Sequence, residues 1–138
     1  MERMEHLPKM TCRAIPHKEQ AYDTIGDYRE TDGGWTFSVS EMNADYEFMV
    51  IVHEMIEWYL TQKRGLSEED IAAFDKKFKE EQERGEHPDI DEPGDAPDCP
   101  YKNEHFFAAN IERMIADKLG TDWTAYDRAQ SPGSPFRE

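Results

Sequence analysis

Residues 47–60 read EFMVIVHEMIEWYL, and the placement of their few polar side chains decides how the chain folds. Ten of the fourteen are apolar; the exceptions are Glu47, His53, Glu54 and Glu57, with no lysine or arginine among them. A helix advances about 100° per residue, so with His53 at 0°, Glu57 falls near 40°, Glu54 near 100° and Glu47 near 120°. One arc therefore carries every ionisable group. Asn43-Ala44-Asp45 forms an N-cap region upstream, while Lys63 and Arg64 suit the negative helix end and Gly65 the C′ position. The reading is a central helix from about Asp45 to Arg64.

His53 and Glu57 stand at i and i+4, one turn apart on one face, close enough to hold a single ion. Glu54 sits beside them. HExxH helices use this geometry for zinc, with the first and last residues as ligands and the glutamate as general base. Here the pattern is HExxE, and the carboxylate hardens the site, so Mn²⁺ and Fe²⁺ join Zn²⁺ as candidates. The third ligand must come from another segment. His105 is the first choice, with Glu112 seven residues later and so only about 20° off its face. Ala108, Ala109 and Ala116 lie on or near that face and allow a close helix approach. Glu104 is a less well-aimed substitute, and His87, with Asp89 and Asp91, is a further candidate where the loop carrying it folds over the site. The competing reading of the arc is a solvated stripe of Glu47, His53, Glu54, Glu57, Thr61 and Arg64.

Upstream of the helix, Met10 to Ile15, Tyr22 to Glu30 and Trp35 to Glu41 read as strands, the last from the alternation Trp35, Phe37, Val39. Thr31-Asp32-Gly33-Gly34 tolerates the positive φ of a tight hairpin. Downstream, Ser67-Glu68-Glu69-Asp70 opens a second helix that runs to about Arg84, with Ile71, Phe74 and Phe78 as a narrow apolar stripe. A third helix, about Asn103 to Leu119, offers Phe106, Phe107, Ile111, Met114, Ile115 and Leu119 for packing. Trp35, Trp58 and Trp123 are assigned to the core. Between the last two helices, residues 86–102 form an acidic, proline-rich loop read as a solvated linker, and residues 129–138 read as a fraying tail. The fold class is α+β: one domain over residues 1–138, with a short antiparallel sheet of about three strands followed by three helices.

At 138 residues with 31 acidic and 16 basic side chains, the chain carries −15, which disfavours direct binding to nucleic acid or anionic lipid. Residues 66–98 hold 13 acids and four bases, a net of −9, leaving −6 for the other 105 residues. Cys12 and Cys99 lack a CxxC partner and read as reduced thiols. The strongest apolar run, Phe48 to Val52, is far short of the roughly 20 residues of a bilayer span, and MERMEHLPKM contains no apolar leader region. The expected compartment is the cytoplasm.

A sheet, an HExxE helix and a downstream histidine resemble the smallest zincin-type metallopeptidases. The chain also resembles uncharacterised small phage and bacterial proteins in Val52-His53-Glu54-Met55-Ile56-Glu57, in Gly65-Leu66-Ser67-Glu68-Glu69-Asp70-Ile71 and in Glu104 to Arg113. The zincin resemblance implies a metal-dependent peptide hydrolase: His53, Glu57 and His105 bind the metal, and Glu54 moves the proton. It also implies that Trp35 to Ser40 is the strand beside the active helix, able to pair with an extended substrate. The expected partner is a peptide or protein. The alternative is a non-enzymatic, phage-type inhibitor acting in a host cytoplasm, whose Glu68, Glu69, Asp75, Glu80, Glu81 and Glu83 mimic phosphates in a basic groove.

Overall fold

A computed structural model describes residues 4–138; Met1 to Arg3, the start of the stretch read as lacking a leader, lie outside the described residues. Three strands, β1 (Lys9–Ile15), β2 (Gly26–Thr31) and β3 (Gly34–Ser40), precede four helices. These are α1 (Ala44–Arg64), α2 (Glu68–Glu83), α3 (Lys102–Leu119) and α4 (Trp123–Gln130). The class is α+β, with one helix more than expected. None of the helices among the described residues is long and apolar enough to cross a membrane.

The hairpin turns through Asp32 and Gly33, both at positive φ (34° and 79°), as a two-residue connection between twisted strands requires. β2 therefore pairs antiparallel with β3, from Gly26 opposite Val39 to Thr31 opposite Gly34. The sheet as a whole is mixed, not antiparallel: β1 lies parallel to β3, and the order is β1-β3-β2. Residues 16–25 return the chain to the far edge. There His17 and Gln20 bind Ser40 and Ser38 of β3, covering the face of the central strand that the helices do not cover.

The other face of β3 presents Trp35, Phe37 and Val39 to α1. Trp58 packs edge-on against Phe37, centroids 5.4 Å apart, and Tyr28, Ile71 and Phe78 complete that cluster. Met49, Val50 and Tyr126 of α4 build a second one around Val39 and Ile25. α1 is capped as its sequence suggests, with Asn43 accepting the Tyr46 N–H and Gly65 left-handed at φ 84°. α2 starts likewise at Ser67, which accepts the Asp70 N–H.

Two expectations reverse here. Phe106, Phe107, Met114 and Leu119 of α3, expected to pack, are exposed, while the face with Ala108, Glu112 and Ala116 packs against α1 as the small residues suggested. The tail does not fray: Arg137, its side chain 2% exposed, donates to Asp23 (2.8 Å), to Glu92 (3.3 Å) and to the Gln130 carbonyl (2.6 Å). A guanidinium buried between two carboxylates holds the chain end down.

Candidate metal centre

Because α3 turns an alanine face to α1, the two helices approach closely, and the polar arc of α1 faces the seam instead of water. His53, Glu57 and Thr61 are buried there, so the solvated-stripe reading fails. His53 Nε2, Glu57 Oε2 and His105 Nδ1 converge in a triangle whose three edges are each 3.1 Å. These three residues form the one cluster, among the described residues, with ligand atoms close enough to share an ion. A triangle of that edge has its corners about 1.8 Å from its centre. That is small enough for one ion at Zn–N and Zn–O distances of about 2.0–2.1 Å to reach all three atoms, were it bound.

The outward atoms determine what the inward atoms offer. A carboxylate accepts, so His53 Nδ1 carries the ring proton and donates to Glu112 Oε1 at 2.7 Å. His105 Nε2 lies 3.2 Å from Asp95 Oδ1 in the same relation. With the outer nitrogens protonated, each ring in its neutral form would turn a lone pair inward. Glu57 adds an oxygen, and its other oxygen accepts from the Tyr28 hydroxyl at 3.2 Å. Glu112 is fixed in turn by the hydroxyl of Tyr126. Carboxylate partners on the outer nitrogens orient ligating histidines and raise their basicity. Two imidazoles and one carboxylate with an open side are the donor set of catalytic zinc sites, and also of non-haem iron(II) sites.

The electrostatics fit the same picture. Burial works to lower the His53 pKa, but its hydrogen bonds to Glu112 and Glu57 outweigh it and hold the ring well above the ordinary histidine value. For His105, burial is likewise outweighed by Asp95 and Glu57, and the pKa lies at about 9. Burial would raise Glu57, yet His105 and His53 hold it down at about 2. The cluster thus attracts positive charge, and an ion bound there would take the place of ring protons.

Glu54 behaves differently from its neighbour. Its carboxylate hydrogen-bonds to none of the described residues, lines both clefts that open on the centre, and is pushed well above the carboxylate range by burial and then by Glu57. A carboxylate poised in this way is suited to accept and return a proton.

The remaining candidates are placed elsewhere. Glu112 touches His53 and stands behind the ligands. Glu104 pairs with exposed Arg64 at 3.0 Å. His87 stacks on Phe78 (4.7 Å between centroids) and bonds Glu81, away from the triangle. The acidic loop does fold over the site, but through a different segment, the turn Pro93–Asp95. Gly94 lies flat on the His105 ring, where a Cβ would come within 2.4 Å of it, and Pro93, Ala96 and Cys99 are buried beside it. It is therefore not a solvated linker.

Of the proposed acidic surface, Asp75 is buried, accepting from Tyr22 (3.0 Å) and Tyr101, while Glu68 accepts from the Glu30 N–H at 3.4 Å. Glu81 pairs with His87 at 3.0 Å, which leaves Glu69, Glu80 and Glu83 exposed. Sequence reasoning missed Asp95, Tyr28 and Tyr126 as supports. Asp95 sat in a run of acids with nothing to single it out, and neither tyrosine had a signal pointing to the site. No protein family, no curated protein and no solved structure matches this chain.

Proposed function

We propose that the chain is a metal-dependent hydrolase of peptide bonds, with His53, Glu57 and His105 holding a divalent ion, zinc in the first instance, and Glu54 as general base. The observation that carries this reading is the convergence of three lone-pair atoms at 3.1 Å, each ligand braced from behind, beside an unpartnered carboxylate. When bound, the ion would supply Lewis acidity toward water and a carbonyl oxygen. Glu54 takes a proton from the attacking water as the oxygen adds to the carbonyl carbon. It then returns that proton to the amide nitrogen as the C–N bond breaks, leaving a carboxylic acid and an amine.

The strand expected to receive an extended substrate cannot do so, because β3 is central and paired on both edges. Of the two edge strands, β1 and β2, it is β2 that lines the cleft at the centre, and side chains reach along its edge. Thr24 donates to the Gly26 carbonyl at 2.8 Å, and Glu68 accepts from the Glu30 N–H. Recognition through a side chain suits this arrangement better than strand addition.

The test is hydrolysis of a quenched-fluorescent peptide pool by zinc-loaded protein. Glu54→Gln should retain zinc and lose at least about 100-fold in turnover, the usual contribution of a positioned base. Full turnover in that variant removes Glu54 from the mechanism.

A further inference from the structure

Two clefts meet at the centre and share His53, Glu54, Glu92 and His105. The smaller, about 70 Å³, lies along β2 and α2. Among the described residues, the only lysine or arginine lining it is Arg29, held by Asp27 at 2.6 Å. The larger, about 210 Å³, lies between α1, α3 and α4 under the turn Pro93–Asp95, and no lysine or arginine lines it. Its mouth adjoins a third cleft that shares Glu92, Asp95 and Asp127 and adds Asp89 and Asp91. In the larger cleft, among the described residues, the charged side chains that line it other than the two histidines are carboxylates, with Arg137 reaching Glu92 from behind.

Most of these carboxylates already have partners. Glu112 is occupied by His53 and Tyr126, Asp95 by His105, and Glu92 by Arg137. Four carboxylates bond none of the described residues: Glu54, half-buried at the centre, and the exposed Asp89, Asp91 and Asp127, of which Asp127, on α4, lines both the larger cleft and the third. Between Glu54 and Asp127 the lining combines the apolar Val50, Ala109 and Trp123 ring with the polar Thr24 and Gln130, and the Arg113 guanidinium lies over that ring, 5.0 Å from its centroid. A channel with apolar side chains along part of its wall and an acid at its outer end suits a side chain with an aliphatic stem and a cationic head. A cleft lined by one sign of charge between low-dielectric walls also concentrates the field that selects the opposite sign.

We infer that the substrate admitted to the centre is a peptide carrying lysine or arginine beside the scissile bond, with the stem in the larger cleft and the charge received by Asp127. This inference rests on the metal-hydrolase reading, and the experiment separates the two. Zinc-loaded Glu54→Gln protein is titrated with the blocked peptides acetyl-Ala-Lys-Ala-Ala-amide and acetyl-Ala-Glu-Ala-Ala-amide, followed by tryptophan fluorescence, with zinc content measured in the same samples. The lysine peptide should bind at least about tenfold more tightly, and the preference should shrink as salt is raised. Asp127→Asn should weaken the preference and Asp127→Lys abolish it, both with zinc retained. Protein that holds zinc but binds the two peptides equally, or binds neither, overturns the inference and leaves the metal centre standing. An undiminished preference in Asp127→Lys overturns the assignment of Asp127. Protein that takes up no zinc overturns both readings.

Discussion

α1 buries two faces with opposite chemistries. Toward the sheet it places Trp58, Met49 and Val50 against Phe37, Val39 and Ile25; toward α3 it places His53 and Glu57 against His105 and Glu112. The first face is stabilised by the removal of apolar surface from water. The second loses hydration of several ionisable groups and regains it only through their mutual hydrogen bonds, an arrangement that apolar side chains of similar volume often match or exceed in stability. The sheet face explains why the chain folds. For the α3 face, the proposed explanation is the ion it could hold.

That contrast can be broken by substitution. Trp58→Ala should cost about 3–5 kcal/mol in urea denaturation, as for large core truncations, and folded variant should still bind one zinc. Loss of zinc binding from a folded Trp58→Ala chain would mean that the two faces are not separable.

Asp75 tests the polar side without touching a ligand. Burial raises its pKa to about 7 against the opposing hydrogen bonds from Tyr101 and Tyr22. Because the folded value exceeds the ordinary one of about 3.9, its contribution to stability is complete below about pH 4 and is lost as pH rises through about 7. Wild-type stability relative to Asp75→Asn should therefore fall by roughly 2–4 kcal/mol between pH 4 and pH 8. A difference independent of pH would show that Asp75 is not held in its neutral form.

A smaller effect is expected behind the ligands. Glu112→Gln keeps the volume but weakens the acceptor for His53 Nδ1, and zinc affinity should drop about 10–100-fold in a chelator competition. Unchanged affinity would reduce Glu112 to a packing residue.

The elements written in local signals were legible. The caps of α1 and α2 and the Asp32-Gly33 turn each rest on a few adjacent residues, and they lie where the sequence places them. The pairing of His105 with α1 was legible because His105 and Glu112 share a face with small residues. The parallel alignment of β1 was not, since it depends on a long-range return through residues 16–25. Hydrophobic periodicity misjudged the other side of α3: it assigns Phe106 and Met114 to the interior, whereas both are exposed. Composition misjudged the 86–102 loop because the charges dominate the count while Pro93, Gly94, Ala96 and Cys99 do the packing. It misjudged the tail in the same way, where one arginine between Asp23 and Glu92 outweighs the glycine and prolines.

The central claim is that the seam between α1 and α3 is built around an ion, and zinc stoichiometry tests it most directly. Untagged protein, purified, stripped with chelator, reloaded with zinc and desalted, should retain one zinc per chain by elemental analysis. Glu54→Gln should retain the same amount, while His53→Ala and His105→Ala should retain little. Wild-type protein that holds no zinc, manganese or iron under these conditions, or histidine variants that hold as much as wild type, would contradict the account.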